Sequence, residues 1–135
     1  MIEQWQQWKP IKSLVQKYHI DSIHDTDSEF KVRLSSSRGP EQTIEINFGH
    51  GVESYTRTNE SFKLTLIRDL DDTYGTDFYG DWTLFIVNNS EHIRTLEVQS
   101  GGWSNSRKLV HYSLLASDSI LDILCTTEPM VKIIG

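Results

Sequence analysis

The sequence predicts an α+β domain, mainly an antiparallel sheet, with one N-terminal helix and one or two short helices. Three observations carry that expectation. Phe30, Val32 and Leu34 alternate with Lys31, Arg33 and Ser35, and Ile44, Ile46 and Phe48 alternate with Thr43, Glu45 and Asn47. Period-two alternation is the mark of a strand with one wet face. Leu109–Leu115 and Ile120–Cys125 are short apolar runs separated by a polar turn, which reads as a second hairpin. Helical periodicity is confined to a few stretches, so helices decorate the sheet rather than alternate with its strands.

Taken in order, Ile11, Leu14, Val15 and Tyr18 fall at i, i+3, i+4 and i+7, one face of a helix from Pro10 to His19. Pro10 suits a first turn. Trp5 and Trp8 extend that helix or pack just before it, as a flap over the core edge or as a partner-docking face. Residues 21–29 are polar and turn-rich. The strands at 30–35 and 43–48 follow, joined through Gly39-Pro40. Gly49-His50-Gly51 marks a bulge or corner, and Val52–Thr58 reads as a third strand. Over 60–70 the pattern supports both a strand (Phe62, Leu64, Leu66) and a helix (Phe62, Leu66, Ile67, Leu70). Arg68–Asp81 reads as a loop with five aspartates. It leads into Phe78–Val87, apolar on both faces from Trp82 onward and expected to form the middle of the fold. Asn88-Asn89-Ser90 caps a short helix to about Val98, which Gly101-Gly102 stops. Trp103–Arg107 reads as an exposed loop, and Met130–Ile134 as a last strand. One domain, 1–135, accounts for the length.

Composition narrows the function. The formal charge is −6, from 13 basic and 19 acidic residues. That disfavours nucleic acid and anionic membranes, which need a basic face, and suits a basic protein partner. No apolar run approaches the roughly 18 residues of a membrane span, and no basic-then-apolar signal opens the chain. A single Cys125 cannot form an internal disulfide, so a reducing, cytoplasmic setting is expected.

Catalytic, metal and cofactor signatures are not found. His19 and His24 lie five apart, which brings no two ligands together on a helix or a strand. No His-Glu-x-x-His, Cys-x-x-Cys or His-x-His occurs, so a metal site needs convergence of distant segments. The aspartate loop lacks the ligand order of a calcium loop. Cys125 lies in an apolar run that makes it inert. His111 and Ser113 share a strand face without a Gly-x-Ser-x-Gly turn, which reads as a core histidine beside a structural serine. Asp122 within Ile-Leu-Asp-Ile-Leu points to solvent from an edge or is paired inside, with Lys108, Arg107 or a backbone turn as partner. Gly49-His50-Gly51 lacks the lysine and helix start of a phosphate loop.

Two blocks carry a resemblance: YGTDFYGDWTLFIVNNSEHI, residues 74–93, and HYSLLASDSILDILCTTEPMVKII, residues 111–134. An aromatic Trp-Thr-Leu-Phe strand runs into Asn-Ser-Glu and a short helix. A His-Tyr strand, an aspartate turn, Ile-Leu-Asp-Ile-Leu and a late Glu-Pro follow. Together they resemble small single-domain bacterial immunity-type proteins of polymorphic toxin systems. The resemblance implies a cytoplasmic protein that binds another protein, and it carries over no functional residue. The expected function is therefore an immunity-type factor that occludes a cognate toxin, one with a basic domain. Asp69, Asp71, Asp72, Asp77 and Asp81 are the candidate contacts, with Tyr74, Tyr79 and Trp103 as aromatic anchors. The alternative is a small-molecule binding protein or enzyme with a sheet-lined pocket holding His50, His111 or Asp122. A structural subunit, dimerising through Trp5 and Trp8, is the third reading.

Overall fold

The computed structural model describes residues 3–102 and 108–135. Nine strands form two antiparallel sheets among these residues. The five-stranded sheet has the order β1 (Gln4–Gln7), β6 (Leu84–Asn88), β7 (Val110–Leu115), β8 (Ser119–Cys125), β5 (Val52–Asn59). The four-stranded sheet has the order β2 (Tyr18–Asp25), β3 (Phe30–Ser36), β4 (Thr43–Gly49), β9 (Met130–Ile133). The described residues also form three helices, α1 (Leu64–Tyr74), α2 (Thr76–Gly80) and α3 (Glu91–Gln99), and a 3-10 turn at Glu60–Phe62 leads into α1.

The alternation read from the sequence sorts the side chains into layers. Val32, Leu34, Ile44, Ile46 and Phe48 of the four-stranded sheet pack on Leu84, Tyr112, Leu114, Leu121 and Ile123 of the five-stranded sheet. The opposite face of the five-stranded sheet offers Phe85, Val87, Leu115 and Ile120 to Trp5 and to Leu70 of α1, with Phe78, Tyr79 and Trp82 closing the edge. The five-stranded sheet is thus covered on both sides, and this is why β6, β7 and β8 read as continuous apolar runs. The outer face of the four-stranded sheet is wet. There Arg33, Lys31 and Lys132 converge on Glu45 at 3.2, 3.9 and 3.6 Å.

Several expectations are corrected. Pro10–His19 is not a helix, and the first helix lies mid-chain. This segment crosses from one sheet to the other, with Ser13 at φ 70 interrupting any helical path. Val15 N–H donates to the Tyr18 hydroxyl (3.0 Å), and Tyr18 already belongs to β2. The helical spacing of Ile11, Leu14, Val15 and Tyr18 arises because an irregular strap follows the core surface. Residues 21–25 are strand rather than turn, and β2 accommodates Asp21 through a register shift between Ile20 and Ser22. The pattern left open at 60–70 resolves as the 3-10 turn and α1, and Arg68–Asp81 is two helices, not a loop. Asp69, Asp72 and Asp77 fill solvent-facing positions of those helices, and Asp81 follows α2 as its C-cap. Phe78–Gly80 belongs to α2, and the strand itself starts at Leu84. That strand is not the middle: β7 is, flanked by β6 and β8. Trp5 and Trp8 do not share a patch. Trp5 is buried against Phe85 (6.0 Å between centroids) on the helix side, and Trp8 rests on Tyr112 (4.8 Å) on the other side of the sheet.

The two hairpins, the Gly49–Gly51 corner, the Ser90-capped helix and the final strand stand where the sequence placed them. Ser90 Oγ accepts from Ile93 N–H (3.1 Å) as the cap of α3.

Candidate functional site

Most of the helix-facing side of the five-stranded sheet is apolar, but one corner is not. The β7–β8 register sets Ser113 opposite Asp122 and His111 opposite Leu124, so His111 and Asp122 are diagonal neighbours on one face. The start of α3 lowers Ser90 and His92 onto the same corner, and Glu3, just before β1, reaches it from the side. His111 Nε2 lies 2.7 Å from Asp122 Oδ1, and His111 Nδ1 lies 2.7 Å from Ser90 Oγ. Ser90, His111 and Asp122 are 4%, 1% and 2% exposed. The His92 ring meets the His111 ring edge-on at 4.8 Å, and His92 Nε2 is 3.8 Å from Asp122 Oδ2. Asp122 Oδ2 and His92 Nδ1 are buried without a hydrogen-bond partner.

Electrostatics follow from this geometry. Burial opposes the Asp122 charge, yet the His111 hydrogen bond, with His111 and His92 nearby, holds its carboxyl below the usual range. Burial pushes His92 down, against the opposing pull of Asp122. Asp122 is therefore paired inside, and its partner is His111 rather than Lys108, which is exposed; Arg107 lies outside the described residues.

The order Ser90–His111–Asp122 has the connectivity of a hydrolase triad, but its chemistry differs. The serine sits on Nδ1 and the carboxylate on Nε2, the reverse of the serine-protease arrangement. Ser90 Oγ also accepts the Ile93 amide while 4% exposed, so it meets no substrate carbonyl. The chain of bonds ties the cap of α3 to the centre of the sheet. Alongside it, Glu3, His92 and His111 each offer a ligand atom within 4.8 Å of the other two, the convergence of distant segments that a metal site needs.

Two grooves flank this corner. One, of about 580 Å³ including open solvent, lies between β1 and α1, with Trp5, Leu66 and Tyr74 as walls and Glu3, Asp69 and Glu91 as carboxylates. The other lies between α3 and β5, where Ser54, Thr56 and Leu124 face His92, Thr95 and Leu96.

The acidic contact candidates divide. Asp69, Asp72 and Asp77 are exposed on α1 and α2, and their carboxylates make no ion pair or hydrogen bond among the described residues. Asp71 turns one carboxylate oxygen inward, buried and unpaired. Asp81 is taken up by Arg38 (2.6 Å). Tyr74 accepts the Trp5 amide (2.9 Å) and stacks on Phe78 (4.3 Å). Tyr79 donates to Glu60 (2.9 Å) and lies under the Lys17 ammonium (4.3 Å), so its hydroxyl titrates well above its ordinary range through burial and Glu60. These two tyrosines hold the helical layer in place. Trp103 lies outside the described residues. His50 is exposed at the corner after β4, away from His111 and Asp122.

Sequence reasoning passed over Glu3, Ser90 as more than a cap, and His92. The signal for Asp122 was present: a four-residue turn at 116–119 fixes the hairpin register and hence the His111 diagonal. Nothing local announced Glu3, which is brought in by pairing of β1 with β6.

No family model, curated protein or solved structure matches the chain.

Proposed function

We propose that the chain is a protein-binding factor of the immunity type, which neutralises a cognate toxin by occluding it and has no catalysis of its own. The observation that carries this reading is the acidic groove beside α1. Its aromatic and aliphatic walls, with carboxylates of Glu3, Asp69 and Glu91 at the rim, suit the stem and charge of a lysine or arginine side chain. Around it the surface is acidic: residues 60–80 hold five carboxylates (Glu60, Asp69, Asp71, Asp72, Asp77) against Lys63 and Arg68. Phe62, 82% exposed, and Leu64, 59% exposed, add apolar contact area on the same layer. An acidic rim around an apolar contact steers a basic partner and then holds it.

The test is capture of the partner from native lysate, followed by expression of the captured protein alone and with this chain. The reading expects a basic protein released at high salt, growth arrest when it is expressed alone, and rescue by co-expression. Asp69→Lys combined with Asp72→Lys should abolish rescue. A captured protein that is harmless, or full protection by the charge-reversed variant, removes the reading. The alternative, a small-molecule binding protein or enzyme, is favoured only by the groove over His92, and a ligand screen by thermal shift addresses it.

A further inference from the structure

We infer that Glu3, His92 and His111 form a binding site for a divalent transition metal ion, with zinc the best fit to its ligands. The three residues come from the segment before β1, the first turn of α3 and the central strand β7, and each presents a ligand atom within 4.8 Å of the others. Around a four-coordinate zinc, ligand atoms sit about 3.4 Å apart at bond lengths near 2.1 Å. Closing the difference takes about an ångström of side-chain movement. Glu3 and His92 are partly exposed and can supply it, while buried His111 is the fixed point.

Asp122 gives the independent support. Its side chain is 3% exposed, and Oδ2 has no hydrogen-bond partner although it faces His92 Nε2 at 3.8 Å. A buried carboxylate is costly, and the positive charge that a metal on the far nitrogen draws onto His111 offsets that cost. Asp122 Oδ1 meanwhile holds His111 Nε2 at 2.7 Å. A carboxylate on the far nitrogen of a ligating histidine orients the ring and raises its basicity. In the tautomer that donates from Nε2 to Asp122, the lone pair on Nδ1 faces the Ser90 hydroxyl, and the metal takes that lone pair in its place. The Ser90 hydroxyl, 2.7 Å from Nδ1, rotates off that line to admit the metal and gives up its bond to the Ile93 amide as it does so. Two imidazoles and one carboxylate leave a coordination position open for water or a partner's side chain.

The site shares Glu3 with the acidic groove but is tested separately from the docking reading, because metal binding is measured without a partner and His92 and His111 lie outside that groove. The test titrates metal-free protein with Co²⁺, followed by its visible d–d absorption, and then displaces it with Zn²⁺. The expected result is one equivalent bound and fully displaced by zinc. His92→Gln and Glu3→Gln, at partly exposed positions, should each weaken zinc at least tenfold while the circular dichroism spectrum is unchanged. His19→Gln, on the other sheet, should change nothing. Absence of binding overturns the inference. So does binding that survives both His92→Gln and Glu3→Gln, since the metal would then sit on exposed histidines such as His24 or His50.

Discussion

At the scale of single residues, the His92–Asp122 pair governs behaviour in acid. His92 titrates lower in the fold than in the unfolded chain, so below about pH 6.5 the unfolded state takes up more protons and stability falls with falling pH. Asp122 titrates lower in the fold as well. Its contribution is full above about pH 4 and is lost as pH drops through its folded value. Glu3, Asp122, His111 and Lys63 all act on His92, and the pair is read as a unit. We expect the urea midpoint of metal-free protein to fall between pH 7 and 5 and again below 4, with His92→Gln flattening the first fall. An unchanged slope in that variant would assign the first fall to other groups. Cys125 is a second case. It is fully buried, its thiol donates to Thr127 O (3.3 Å), and burial pushes it up to about 11. Iodoacetamide at pH 8 should leave it unlabelled in the folded protein and label it in urea; rapid labelling without urea would contradict the buried thiol.

At the scale of elements, two local devices fix how strands and helices meet. Ser90 both caps α3 and contacts His111. Ser90→Ala removes the cap, worth about 1 kcal/mol, and leaves a buried imidazole nitrogen unpaired, at about 1–3 kcal/mol. Equilibrium urea unfolding should show a loss of about 2–4 kcal/mol, whereas a loss confined to a few tenths would mean that α3 is held by other contacts. Gly51 is the second device. A β-carbon there would lie 2.5 Å from Thr127 Oγ1 and 2.8 Å from the Thr127 backbone nitrogen. Thr126 N–H donates to Gly51 O (2.9 Å), so the two backbones cannot part without losing that bond. Gly51→Ala should cost about 1–3 kcal/mol, visible as a lower thermal midpoint.

Elements also show what was legible in sequence. The β3–β4 hairpin was, because one wet face leaves a clean alternation of Val32 and Leu34 with Lys31 and Arg33. The strap at Pro10–Gln16 was not, because an irregular segment over a core repeats apolar residues at spacings that mimic a helix. The aspartates of Arg68–Asp81 mimicked a loop, since Leu70 is the only residue α1 buries fully and the outer face carries the acids. The site was half legible. Register reached the His111–Asp122 diagonal, but only tertiary pairing brings Glu3 and His92 beside it.

At the scale of the whole molecule, β1 holds a position out of proportion to its four residues. It covers the edge of β6, seats Trp5 in the second core and delivers Glu3 to the polar corner. Deleting residues 1–9 would open a hydrogen-bonding edge and empty the Trp5 site, a loss of about 3–5 kcal/mol from the tryptophan alone. We expect the truncated protein to elute as aggregates, or to unfold without a cooperative transition. A monomer with the parent's urea midpoint would show β1 to be dispensable.

The same strand bears on how the protein is made. Gln4 pairs with Asn88, and the other sheet is not complete until Met130–Ile133 joins β4. A ribosome adding roughly 5–20 residues per second releases β1 about 4–16 s before its partner exists. During that interval the segment waits as nascent chain beside other unfinished strands. Its sequence, Gln4-Trp5-Gln6-Gln7, suits the wait: three amides surround a single apolar side chain, so little sticky surface is on display before β6 arrives.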